Sequence, residues 1–528
     1  MKRAPLRFGP ALVASLLALF SLSATAETLG NFLAPGPHVV GFRTITARDA
    51  SRPTLVVPSE PSDPTAGRLV PLHVWYPAAV SEGPVLTLAD YADALAYSAD
   101  LDALDASSRS AARSRFIASI AELGGDRAIA EHEQSRLLAA GGRAQRNAAP
   151  ASGPFPVLLF PEYYAPASNS VLAEHLASHG YVVVSVPMLA WRSVNWTGGT
   201  PPNFESYVSD LQFALGVLRD LPFADRSRIA AIGVGISANA VAALQMRNPL
   251  VRLHVSLDGG LISPTEDATL KRTPYFDATA LRSPMLFLWS PHPNLVPALM
   301  DQYKYADRLA LHLPGMSEYR YLNYGPLEVL APGLLGQPPG DTVAGYTWAA
   351  RYVRAFLDAH LLGDAAARGF LAAEPEKNGV PAASVRRRAL PALPAPPSIE
   401  EVQSMILARG VGEFIALHRR LRERDPEPYG MAALLQLSVW ASAPGRDPDA
   451  SIRKALGELR VEIFPASSRA HYALAVATAA RSEHALARRH FDAALSLLDA
   501  DKDPSSDDAM RHLLRQRIED ALKRLPPL

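Results

Sequence analysis

No cysteine occurs in the 528-residue chain, which excludes disulfides, thiolate metal sites, a cysteine nucleophile and a lipidated N-terminal cysteine. A net charge of either sign is also lacking: 52 Lys and Arg balance 52 Asp and Glu, so no overall field draws the chain to nucleic acid or to an anionic membrane. Long apolar runs are scarce. The one near the start, Ala11 to Leu22, falls short of the roughly 20 residues that span a bilayer. Lys2, Arg3 and Arg7 precede it and Ala24-Thr25-Ala26 follows, so residues 1–26 read as a cleaved export signal and a periplasmic or secreted protein is expected. The aspartates Asp90, Asp93, Asp100, Asp102 and Asp105 lack metal-ligand spacing and suit a solvated face. No metal or cofactor is expected.

What is present is an apolar fraction of 48% and 46 prolines, which suits two folded parts with many loop boundaries. His38 to Ile45 and Leu69 to Tyr76 read as an antiparallel edge. Ala, Leu and charged residues at helical spacing over about 87–143 read as an inserted helical cap. A wholly apolar strand, Phe155 to Phe160, is followed by further largely apolar strands alternating with helices: Tyr181 to Pro187, Ile229 to Val234, Leu253 to Leu257, Pro284 to Trp289 and Leu309 to Leu313. That alternation predicts an α/β domain over 27–363 with a mostly parallel sheet and helices on both faces. Arg386-Arg387-Arg388 and the prolines from Pro391 to Pro397 read as a Pro/Ala/Arg-rich linker over 364–398. Residues 399–528 read as an all-α region of helical repeats. Leu474, Ala475, Ala487, Phe491 and Ala494 stand at tetratricopeptide spacing, which implies a surface for a protein partner.

The stretch that organises the chain is Arg228 to Val241, RIAAIGVGISANAV: a strand, a sharp turn at small residues, then a helix. In serine hydrolases such a turn holds the nucleophile in a strained backbone, flanked two positions away by small residues. Gly235-Ile236-Ser237-Ala238-Asn239 is a Gly-x-Ser-x-Gly with its last glycine replaced. The stretch resembles the nucleophile elbow of dienelactone hydrolases and platelet-activating-factor acetylhydrolases, in which Arg-Ile opens the strand. Leu176 to Tyr181 (LASHGY) and Ser256-Leu257-Asp258-Gly259 extend the resemblance over about Gly30 to Leu371, and it implies an α/β-hydrolase fold. Aligned on Arg228-Ile229 without a gap, it puts Gly235 in the place of the serine. A gapped register makes Ser237 the nucleophile instead. The ungapped register suits the physics: glycine takes a positive φ without strain, and Ser237 and Ala238 stay small where helix and strand meet.

The resemblance also implies an oxyanion loop beginning His-Gly, where Pro161-Glu162-Tyr163-Tyr164 stands here, and a Pro-Gly-x-x-His base turn, where Pro314-Gly315-Met316-Ser317-Glu318 stands. Asp258 alone keeps the family's acid position. His254 and His312 read as core residues, leaving His292 as the substitute base. Three functions follow. The first is a non-catalytic binding protein using Glu162, Tyr163, Gly235 and Glu318 around the old cleft, where converging carboxylates and aromatics suit a cationic or sugar-like ligand. The second is a serine carboxylester hydrolase using Ser237, His292 and Asp258. The third is a carboxylate hydrolase using Glu162 and Glu318.

The exported chain should begin near Glu27. Intact mass of the mature protein measures this; a soluble extracytoplasmic species that retains Met1 to Ala26 contradicts it.

Overall fold

The structure is a computed structural model, and it describes residues 28–55, 65–80, 83–98, 100–125, 127–163, 165–194, 198–500 and 508–526. The export-signal reading falls on residues outside this set.

Eleven strands among the described residues form one sheet: β1 (Val39–Asp49), β2 (Arg68–Ala78), β3 (Val85–Thr87), β4 (Gly141–Arg146), β5 (Phe155–Glu162), β6 (Val182–Pro187), β7 (Ala224–Val234), β8 (Val251–Leu257), β9 (Met285–Trp289), β10 (Arg308–His312) and β11 (Arg386–Leu390). Their spatial order is β11-β10-β9-β8-β7-β5-β6-β2-β1-β4-β3. From β6 through β10 every neighbour is parallel, and β2 pairs antiparallel with both β1 and β6. This is the α/β-hydrolase fold that the alternating strands and helices led us to expect. Side-chain alternation splits the core between the two faces. Leu158, Phe160, Ile232 and Leu288 face the helix Thr342–Leu357, whereas Val157, Leu159, Ala231 and Phe287 face the helices Pro201–Val217 and Ile236–Arg247.

Two expectations need correction. The β1–β2 pair is not the sheet edge, because the insertion contributes strands as well as helices: β4 lies parallel to β1, and β3 pairs with β4. The stretch 364–398 is not simply a linker. It holds the helix Ala365–Ala372 and then β11, which pairs with β10 from Arg308↔Leu390 to His312↔Arg386. The Arg386-Arg387-Arg388 run that suggested a solvated linker is an edge strand, where charge protects unpaired backbone from further pairing.

Seven helices among the described residues, from Ile399–Arg409 to Asp508–Arg524, follow, burying Val402, Phe414, Leu434 and Leu456 in one cluster and Ala475, Ala487, Phe491 and Ile518 in another. They are hooked to the first domain through Asp425. It accepts from Lys304 Nζ at 2.5 Å and from the Tyr305 hydroxyl, which also reaches the Pro428 carbonyl at 3.0 Å. No helix among the described residues is long and apolar enough to cross a membrane.

Beneath β2, Arg68 is 1% exposed. Its Nε and Nη2 meet the two Asp210 oxygens at 2.8 and 2.7 Å, and Nη2 and Nη1 meet the Leu189 and Ala190 carbonyls at 2.8 and 3.0 Å. Removing one partner of such a pair leaves a buried charge uncompensated. Asp210→Ala should therefore lower unfolding free energy by about 3–5 kcal/mol, read as an earlier urea midpoint; a change below about 1 kcal/mol contradicts the assignment.

Candidate functional site

At the carboxyl end of β7 the chain reverses at Gly235, whose φ of 50° and ψ of −134° are open to glycine and strained for any other residue. Its N–H donates to the carbonyls of Asp258 at 2.9 Å and Leu257 at 3.1 Å, stitching the turn to the end of β8. The apex of the elbow is thus a residue without a side chain. A Cβ built there meets the Tyr163 hydroxyl at 2.9 Å, Glu318 Oε1 at 3.2 Å and Glu266 Oε1 at 3.4 Å. Three polar side chains therefore line the space that a nucleophile on this turn would occupy.

Each is held in place by local structure. Tyr163, following β5, donates to the Val234 carbonyl at 2.6 Å and receives a long 3.4 Å contact from the Ser237 N–H. Glu318 opens the short 3₁₀ turn Glu318–Tyr321. That turn is anchored by Arg320, which grips both oxygens of Glu328 at 2.9 and 2.8 Å in a two-toothed pair. Glu266 lies in the first turn of the helix Pro264–Lys271, where a carboxylate suits the dipole. Ahead of it, Asp258, Gly259 and Gly260 all have positive φ, at 32°, 88° and 56°, and their turned backbone makes a small anion nest. Glu266 Oε2 accepts the Gly260 N–H at 2.6 Å, and the nearby Ile236 backbone favours the charged form of this carboxyl. In an elbow enzyme the amide after the nucleophile is an oxyanion donor; here a carboxylate of the same chain lies beside it.

The charge balance is unusual. Burial raises the Glu318 carboxyl to about 8, and the nearby Glu266 and Asp258 push it in the same direction. Glu318 therefore carries its proton at neutral pH. Burial also raises Glu266 and Asp258, against the hydrogen bonds that they accept from Gly260 and from Ser290. Asp258 is 2% exposed and is saturated by Ser290, whose N–H and hydroxyl reach its oxygens at 2.7 and 2.6 Å. Tyr163 is raised well above the usual phenol range by burial, then by Glu266 and Glu318.

The other expected residues lie elsewhere. Ser237 is fully buried in the first turn of its helix. Its hydroxyl accepts the Val234 N–H at 2.7 Å and donates to the Val234 carbonyl at 2.9 Å, away from Glu318. His292 is exposed after β9, and its Nδ1 accepts the Asn294 N–H at 3.2 Å within its own loop. Ser237, His292 and Asp258 are therefore not joined as a triad. Glu162 does not share the Gly235 site either. It is 1% exposed and meets His73 Nδ1 at 2.8 Å and the Ser185 hydroxyl at 2.5 Å, because alternation along the strand turns neighbours Glu162 and Tyr163 apart. The acidic partner of Glu318 is Glu266. Sequence reasoning passed over it because an acid in a first helical turn is ordinary dipole compensation. Its one signal is the Asp-Gly-Gly turn just ahead of it.

No family model and no curated protein matches this chain. Among solved structures, a ferulic acid esterase from Streptomyces cinnamoneus is similar at 21% identity, with a TM-score of 0.47, covering 69% of this chain and 99% of that one.

Because Glu318 in the folded protein holds a proton that an ordinary carboxyl of 4.5 releases, the fold binds more protons than the unfolded chain between about pH 4.5 and 8. Stability should fall as pH rises through that window. Glu318→Gln should flatten the fall and be the more stable protein above about pH 8, by an amount on the order of a few kcal/mol. Urea titrations across that range test it, and parallel curves for wild type and variant rule it out.

Proposed function

We propose that this chain is an exported, non-catalytic member of the dienelactone hydrolase and acetylhydrolase lineage, a pseudoenzyme that binds rather than turns over. The observation that carries the reading is the elbow itself: an apex with no side chain, its space lined by Tyr163, Glu266 and Glu318. A serine esterase needs a nucleophile, a base and two free oxyanion donors together, and loss of one donor alone costs roughly 10²- to 10³-fold in turnover. Here the nucleophile position is glycine, the base position is a protonated carboxyl and a carboxylate, Glu266, lies beside the amide that would serve as one donor. The lineage itself rests on the gapless segment from Arg228 to Asp258. The C-terminal helices supply a protein-binding surface of tetratricopeptide kind. In its support, the interhelical residues Leu474, Ala475, Ala487, Phe491 and Ala494 are all at most 3% exposed, as the close helix approach of such repeats requires.

One observation favours a second reading. Glu318 and Glu266 both lie within 3.4 Å of the point a Cβ on Gly235 would occupy, and burial, then the like charges of Glu266 and Asp258, have raised the Glu318 carboxyl to about 8. Paired carboxyls driven apart in this way can act as acid and base. The earlier pairing of Glu162 with Glu318 is replaced by Glu266 with Glu318 in this reading.

Wild-type protein should resist labelling by a fluorophosphonate probe and show no burst with short-chain p-nitrophenyl esters. Stoichiometric labelling that disappears in Ser237→Ala overturns the proposal. Turnover of aryl glycosides lost in both Glu266→Gln and Glu318→Gln establishes the second reading in its place.

A further inference from the structure

At the opposite end of the sheet, beside the start of β9 and β10 and the end of β11, lies a cavity of about 480 Å³, within the range of small-molecule sites. It is distinct from the elbow, which stands at the carboxyl ends of the parallel strands. Its floor is apolar: Leu309, Phe356 and Leu371 are each at most 8% exposed. The walls come from β10, from β11 and from the helices Thr342–Leu357 and Ala365–Ala372.

Around that floor stand Arg308, Arg368 and Arg387 against one carboxylate, Asp307. Among the described residues, Arg368 and Arg387 meet only backbone carbonyls: Arg368 Nη1 reaches Ala359 at 3.3 Å, and Arg387 Nε reaches Leu371 at 2.7 Å. Arg308 reaches the Met300 and Ala306 carbonyls at 2.9 and 3.1 Å, with Asp301 farther off at 3.8 Å. Asp307 is partly engaged, accepting the Ala392 N–H at 2.8 Å. His360 packs its ring on Phe356 at 4.6 Å. Burial lowers its affinity for a proton against the opposing pull of Asp307, with Arg368 adding to the lowering, so it adds ring surface rather than charge at neutral pH. Guanidinium groups without carboxylate partners at the rim of an apolar hollow favour one ligand chemistry, an anionic head on an apolar body.

We propose that this cavity is a binding site for an apolar carboxylic acid, with its carboxylate held by Arg368 and Arg387 and its body lying over Leu309, Phe356 and Leu371. The site exists only because β11 joins the sheet, so it could not be read from a stretch that looks like a linker. It does not depend on whether the elbow is catalytic.

The test uses the full mature chain and calorimetric titration with three probes of one chain length: decanoate, decanol and decyltrimethylammonium. Decanoate should bind saturably, and the neutral and cationic probes at least about tenfold more weakly. Arg368→Gln with Arg387→Gln should weaken decanoate by about tenfold or more while leaving decanol unchanged. Ala372→Trp, which fills the hollow and touches neither arginine's bond, should abolish binding of decanoate with the melting temperature retained. A parallel titration with 4-biphenylcarboxylate identifies the body: tighter binding than decanoate assigns an aromatic acid, weaker binding an aliphatic one. Equal binding of all three decyl probes, undiminished decanoate binding in Ala372→Trp, or no binding of either carboxylate overturns the proposal.

Discussion

How closely the helix Ile236–Arg247 can approach the strand it follows sets everything at the carboxyl end of this sheet. A Cβ on Gly233 would stand 2.3 Å from the Ala238 nitrogen, and one on Gly260 would stand 2.4 Å from the Gly235 carbonyl oxygen. Neither contact is sterically possible, so the reversal can be made only with glycine at both places. The same tight packing fixes the Gly235 backbone in its strained region and brings the ends of β7 and β8 within one hydrogen bond of each other. In an enzyme that strain is repaid by presenting a side chain for attack. Here the turn has that geometry with no side chain at its apex, and the space beside it is lined by Tyr163, Glu266 and Glu318.

That replacement explains how three carboxyl groups can crowd one spot. Bare carboxylates at this range in a poorly hydrated site repel one another strongly. The crowding is relieved in three ways: Asp258 is saturated by Ser290, Glu266 sits in a nest of turned backbone amides, and Glu318 keeps its proton. The cluster is therefore coupled, and altering one member shifts the proton affinity of the others.

Much of the fold was legible because fully apolar strands announce a sheet buried on both faces, and β5, β6 and most of β7 have that character. The elbow was legible because counting from Arg228 needs no gap to put Gly235 at the turn. Less was legible where composition and contact diverge. Arg386-Arg387-Arg388 has the look of a solvated tether, yet charge is what a sheet edge also demands, and only the partner strand tells the two apart. Glu162 drew attention because it falls in the oxyanion loop. One step along the strand reverses a side chain's direction, and no sequence pattern shows which of two neighbours points inward. Glu266 went unnoticed because its contacts are to backbone amides, which carry no residue identity.

The late position of β11 in the chain has a consequence for how the molecule comes to be. β10 is complete at His312, but its outer edge stays bare until Arg386–Leu390 has emerged and folded back. During synthesis the sheet thus waits, with an open hydrogen-bonding edge, for a segment that lies just before the helical region. Any dissection of the protein at Gly363 would make that interval permanent, leaving β10 as a template for other chains. The natural boundary between the two parts therefore lies after Leu390 rather than where the composition changes.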